Sequence, residues 1–230
     1  MLSSLKYLSV YWFNLLFVQC ALFGSKRSKY ELLEFGNPGA QWKVPAGLLS
    51  KASVCYCAGV GEDISFELCL WKYCHPSIFL FDPTPRAITF VAKQKLPNKI
   101  LFFSWGLWSK NSRQKFFAPQ QKSFVSHSIV NLHQTSEFFL ADCKSLEWII
   151  KKLQHTKLDL LKIDIEGSEY EVLTQLFQSR RRPTILAIEF DQPTPVLKTL
   201  EMIKKILSNG YELADQTNWN FIFVLSSKNI

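Results

Sequence analysis

From residue 53 onward the chain alternates short apolar runs with helical segments, and this alternation limits its architecture more than any other feature. "SVCYCAG" (53–59), "SIFLFD" (77–82), "KILFFSWGLW" (99–108), "LDLLKIDI" (158–165) and "TILAIEF" (184–190) read as strands. "EDISFELCLWKY" (62–73), "PRAITFVAK" (85–93), "SLEWIIKKLQ" (145–154), "SEYEVLTQLFQ" (168–178) and "PVLKTLEMIKKILSN" (195–209) read as helices, the first with two acids in its first turn. Parallel strands need a crossover helix between them, so the pattern predicts an α/β protein with a mostly parallel sheet. Two stretches depart from it. Residues 109–140 hold no clear helix and read as loop with one or two extra strands over the carboxyl-end face of the sheet. The ending "YELADQTNWNFIFVL" reads as two strands joined by a short turn, which makes the last strand antiparallel to its neighbour.

With 230 residues, the expected organisation is an amino-terminal apolar segment and linker over 1–40 and one domain over 41–230. A hydrophobic content of 47% and an aromatic content of 14% exclude a disordered chain. The formal charge of +8 favours acidic partners, but the bases are scattered, with local clusters only at Lys26–Lys29 and Arg180–Arg182, which fits a solvated basic surface. Six cysteines without framework spacing point to free thiols in a reducing, cytoplasmic compartment. A zinc site from Cys55, Cys57, Cys74 and His75 lacks C-x-x-C spacing, and no metal is expected.

Between Lys6 and Lys26 there is no charge, and this stretch approaches the ~20 apolar residues that span a bilayer. Two readings stand: membrane association through residues 7–25, with the bases after it leaving the domain in the cytosol, or an apolar helix packed on the domain or a partner. The thin charged leader does not resemble a cleaved signal peptide.

In open α/β sheets ligands sit at the carboxyl ends of the strands. After the first strand comes Gly59-Val60-Gly61-Glu62-Asp63, where glycines let the backbone approach a ligand. After the second comes Asp82, 23 positions beyond Gly59, about where an acid accepts from both ribose hydroxyls of a nucleoside. A dinucleotide would want a third glycine where this chain has Ile64, and Glu62 and Asp63 would repel its pyrophosphate. S-adenosylmethionine carries an amine and a sulfonium instead and suits the acids better than NAD does.

"VCYCAGVGEDISFELCL", "FLFDPTPRA" and "DLLKIDIEGSEYEVL" together resemble the FkbM-type methyltransferase family over roughly residues 40–190, with "QWKVP" and "SHSIVN" also similar. The resemblance implies a Rossmann-like class I methyltransferase fold, to which the terminal hairpin conforms, with S-adenosyl-L-methionine as cofactor and methylation of a hydroxyl on a sugar or small metabolite. It implies that Gly59, Gly61, Glu62 and Asp63 lie along the methionine moiety and that Asp82 holds the ribose. Asp164, Glu166 and Gly167 would then form the floor near the transferred methyl. Two positions depart: Cys57 stands where many members have an acid, and "EFD" (189–191) stands where "EFH" is common.

A hydroxyl is a poor nucleophile until a base takes its proton, and a carboxylate raised by burial can do so. Asp164 is the first candidate and Glu166 the second, with His127 and His133 in the inserted region as further options and Glu169 expected to offset the dipole of the next helix. Both acids could instead only cap that helix. A nucleic-acid methyltransferase, encouraged by the +8 charge, is the alternative among enzymes, although the fourth strand ends in I-D-I-E-G and not in the Asp/Asn-Pro-Pro-aromatic turn that base N-methylation generally uses. A methyltransferase-like binding protein without turnover, associated with a membrane, is the competing reading.

Overall fold

In the computed structural model the chain runs α1 (Leu2–Ala21), β1 (Leu32–Phe35), β2 (Trp42–Pro45), β3 (Val54–Ala58), α2 (Ser65–Cys74), β4 (Ser77–Phe81), α3 (Pro85–Val91), β5 (Ile100–Phe103), β6 (Gly106–Trp108), β7 (Ser112–Phe117), β8 (Phe138–Ser145), α4 (Leu146–Lys152), β9 (Leu160–Ile163), α5 (Glu169–Gln178), β10 (Ile185–Glu189), α6 (Val196–Ser208), β11 (Tyr211–Thr217) and β12 (Asn220–Leu225). The structure describes residues 2–25, 29–118, 127–129, 131, 135–179, 181–190 and 195–226. Seven strands form the central sheet in the order β11-β12-β10-β9-β3-β4-β5. β10, β9, β3, β4 and β5 are parallel, while β12 runs antiparallel between β10 and β11. This is the Rossmann-like class I methyltransferase arrangement that the alternation and the terminal hairpin predict.

The middle strands are apolar on both faces because helices cover both faces. On one side Tyr56, Leu161, Leu186 and Phe223 pack against α4, α5 and α6; on the other Cys55, Cys57, Ile78 and Leu80 pack against α2, α3 and β2. Each helix gives up one stripe to this contact: in α6, Thr199, Leu200, Met202, Ile203 and Ile206 recur at helical spacing and are buried. α1 joins the first core through Leu15, Val18 and Leu22, and Tyr11 meets Trp219 edge-on at 5.9 Å. Among the described residues no helix is long and apolar enough to cross a membrane.

Three local features differ from the sequence expectation. The helix expected from residue 62 begins at Ser65, because Asp63 turns back and its Oδ1 accepts from the Ser65 N–H (2.6 Å), leaving Glu62 and Asp63 in the loop. The strand expected over 99–108 breaks after Phe103. Trp105 stacks on Phe103, and the chain then enters a second sheet, β6-β8-β7. Gly106 permits this, since a Cβ there would meet Cys143 Sγ at 2.7 Å and Phe116 Cζ at 2.9 Å. β1, within the stretch read as linker, pairs antiparallel with β2.

The strand order reverses around β3, so the ends of β3 and β9 meet at the switch point. Asp164 N–H donates to Ala58 O (3.0 Å), and Gly59 N–H to Phe81 O (3.0 Å). At Gly59 (φ +84°) a Cβ would lie 1.6 Å from Asp164 O, so no side chain fits between these strand ends. Gly59→Ala is therefore expected to cost ~3 kcal/mol or more, about 6–12 °C in melting temperature for a chain of this size. An unchanged melting curve would mean that the two strand ends part freely.

Candidate active site

A cavity of about 450 Å³ opens over the carboxyl ends of β3, β4, β9 and β10, within the usual size range of small-molecule sites. Its floor is Gly59–Gly61, Asp82, Asp164 and Glu166, its side wall includes Trp42 and Glu67, and its roof is Leu107, Phe116, His127 and Ile129. The loop-rich insertion thus lies where the sequence placed it. All six residues expected at the cofactor, Gly59, Gly61, Glu62, Asp63, Asp82 and Asp164, line this one cavity, as does Glu166. His133 and Asp191 lie outside the described residues.

The two glycines do different work. Gly59 allows the close approach described above; at Gly61 (φ +56°) a Cβ would meet nothing within 4 Å, leaving the backbone bare toward the cavity. Asp82 is buried and fixes this loop from below: Oδ2 accepts from Val60 N (2.9 Å) and Gly61 N (3.0 Å), while Oδ1 accepts from Thr84 N (2.8 Å) and Thr84 Oγ1 (2.6 Å). The cap of α3 is Thr84, whose Oγ1 accepts from Ala87 N, with Pro85 in its first turn. Asp82 is thus the clamp between two strand ends, one step back from the helix cap.

Glu169 stands in the first turn of α5 as expected and has a further task. It is fully buried, and its Oε1 accepts from Ile165 N (3.0 Å) and Gly167 N (3.2 Å), folding back to hold the 164–167 turn. That turn carries Glu166 at φ +56°, a left-handed conformation costly for a residue with a Cβ. Ser128 Oγ donates to Glu166 O and ties the roof to the floor.

Sequence reasoning missed the centre of the site. Lys162, in the middle of β9, is buried, donates to Gly59 O (3.2 Å), and lies 3.7 Å from Asp164 and 3.9 Å from Glu67, with its Nζ 5.1 Å from the Trp42 ring centre. Burial works against its charge, but Asp164 and Glu67 outweigh that and hold its pKa above the ordinary lysine value. Burial raises Glu67 and Asp164 in turn, with Lys162 opposing. Cys57 pairs with Lys162 across the sheet and hydrogen-bonds to Glu67, so an acid from α2 faces the position where the family pattern puts one on the strand. Glu189, at the end of β10, hydrogen-bonds to Asp164. Burial first, then the charges of Asp164 and Glu166, push Glu189 up to about 8. The available signal was a lysine inside an otherwise apolar strand, since a buried charge is the informative exception.

Among the described residues, seven acidic side chains and one lysine line the cavity, in a chain whose net charge is +8. Such a site suits a cationic ligand and repels phosphates. Ser168, which lines it, is buried, and its Oγ has no hydrogen-bond partner among the described residues, so it remains for a ligand to satisfy. The donor set, the bare backbone at Gly61 and the volume all fit S-adenosylmethionine.

The family model for the methyltransferase FkbM domain matches residues 55–213. No curated protein matches the chain. Among solved structures, the fibrillarin pre-rRNA processing protein of Methanococcus jannaschii is 10% identical, over 88% of this chain and 85% of that one, with a TM-score of 0.45. Aeropyrum pernix fibrillarin in complex with natively bound S-adenosyl-L-methionine is 11% identical over 86% and 83%, at 0.40; P. horikoshii TYW2 in complex with MeSAdo is 9% identical over 84% and 69%, at 0.39. These scores are too low to carry a conclusion about this chain.

The Glu189 carboxyl titrates near 8 in the folded chain against an ordinary value of 4.5. The folded state therefore holds an extra proton across that window, and stability falls as pH rises through it, by up to about 1.4 kcal/mol per pH unit. Melting curves between about pH 5 and pH 8 should show Glu189→Gln losing this slope relative to the native chain. Parallel curves would mean that Glu189 is ionised throughout.

Proposed function

Because this chain belongs to the FkbM methyltransferase domain family and is an S-adenosylmethionine-dependent methyltransferase, we propose that it methylates a hydroxyl oxygen on a sugar or other small metabolite. The observation that carries this reading is the half-buried Asp164–Glu189 pair at the cavity floor: desolvation raises both carboxyls, and the Asp164 charge raises Glu189 further. Such a pair shares one proton near neutral pH and leaves one carboxylate oxygen available to accept another. When bound, S-adenosylmethionine supplies a methyl group made electrophilic by its sulfonium. Asp164 takes the hydroxyl proton as the oxygen gains the methyl, Glu189 completes the pair, and Lys162 keeps the cluster charged. Glu166 is the second candidate for the proton, placed beside the pair by the strained turn.

For the cofactor we assign Asp82 to the ribose side, where it acts by holding the glycine loop because its oxygens already accept four protein hydrogen bonds, Gly59, Gly61, Glu62 and Asp63 to the methionine moiety, and Asp164 to the neighbourhood of its amine and sulfonium. Asp63 suits a cation: despite partial burial, hydrogen bonds from Ser65 and Asn37 hold its carboxyl below the ordinary aspartate value. The same acidity argues against a nucleic-acid acceptor, whose phosphates would have to approach this acidic lining.

Turnover is tested by incubating the chain with S-adenosylmethionine and a panel of sugars and hydroxylated metabolites, following S-adenosylhomocysteine release and locating the new methyl by NMR. An O-methyl product is expected. Asp164→Asn should lower kcat by roughly 100-fold or more while S-adenosylhomocysteine affinity stays within a few fold. A methyl on nitrogen, or equal turnover by Asp164→Asn at neutral pH, would contradict the reading.

A further inference from the structure

α1 is apolar on two opposite sides, and the domain covers only one. Tyr11, Leu15, Val18 and Leu22, spaced four, three and four apart, form the stripe that packs into the core. The opposite side carries Val10, Trp12, Phe13, Leu16 and Phe17, between 41% and 69% exposed, and Phe23 just beyond the helix is 92% exposed. Contiguous exposed apolar surface of this kind marks an interaction site. The charge pattern around it selects the partner. The first 30 residues hold Lys6, Lys26, Arg27 and Lys29 and no acid before Glu31, so four of the chain's net +8 charges lie in this segment. Aromatic side chains are enriched at the headgroup level of a bilayer, and bases on either side of them with no acid between add attraction to an anionic surface. A lipid surface with anionic headgroups satisfies both the aromatics and the bases.

We propose that the outward face of α1 is a docking surface for an anionic lipid bilayer, on which the helix lies flat while its inner face holds the catalytic domain. The Tyr11–Trp219 contact sets α1 beside the β11–β12 turn, where Asn220 lines the cavity, so the docked surface adjoins one edge of the active-site rim. The docking does not depend on the acceptor's identity, and it is read without turnover.

The test is flotation of the full chain with vesicles of phosphatidylcholine alone or mixed with phosphatidylserine. Recovery with the mixed vesicles should exceed that with the neutral ones at least about tenfold, as the bases require. It should fall as salt is raised. The triple variant F13S/L16S/F17S should lose flotation while keeping its melting temperature and S-adenosylhomocysteine affinity. Vesicles with brominated acyl chains should quench tryptophan fluorescence in the native chain, and W12F, a change at an exposed position, should remove most of that quenching. Equal recovery with neutral and anionic vesicles, undiminished flotation of the triple variant, or quenching that survives in W12F would each overturn the proposal. So would a dimer in light scattering that the triple variant abolishes, in a chain that binds no vesicles, since the face would then belong to a second copy.

Discussion

The site is organised around one buried cation. Lys162 stands inside a strand where its neighbours are leucine and isoleucine, and it is held there only because Glu67 and Asp164 face it and Gly59 O accepts from it. A lone buried lysine would lose its proton or destabilise the sheet, and the two carboxylates without it would repel each other. Together they let acids from β9, α2 and β10 occupy a space that would otherwise admit one or two. The rest of the active-site end is built to keep this cluster in register: Asp82 fastens the glycine loop, Glu169 fastens the 164–167 turn, and Gly59 lets the two strand ends close over them.

An acidic cavity in a basic chain separates the charge of the surface from the charge of the site. Net charge alone points toward nucleic acid or membranes. The cavity points elsewhere, toward a small ligand that carries positive charge and an acceptor that carries little negative charge. In sequence, the acid-free stretch before Glu31 holds four of the bases together with the aromatics that α1 exposes.

Much of this was legible in the sequence, and what was not has physical causes. Strand alternation is a local property, so the parallel sheet, the antiparallel last strand and the residues at each strand end could be read directly, and Gly59, Gly61, Asp82, Asp164 and Glu166 do meet at one cavity. The break between β5 and β6 could not, because it depends on Gly106 packing against Cys143 and Phe116, which only the folding of the second sheet brings to it. Glu67 and Glu189 were passed over for the same reason: each looks like an ordinary acid on its own element and becomes unusual only when the fold brings it to Lys162 or Asp164. Glu169 reads from sequence as a first-turn acid, which it is, and only the fold shows that it also holds the Ile165 and Gly167 amides.

The central claim is that the Asp164–Glu189 pair holds a shared proton that a cationic ligand displaces. Calorimetric titration with S-adenosylmethionine at neutral pH, repeated in buffers of different ionisation enthalpy, measures the protons released on binding. The account predicts release approaching one proton per site, and clearly less for S-adenosylhomocysteine, which lacks the sulfonium charge. Binding of both ligands with no proton exchange, or with equal exchange, would contradict it.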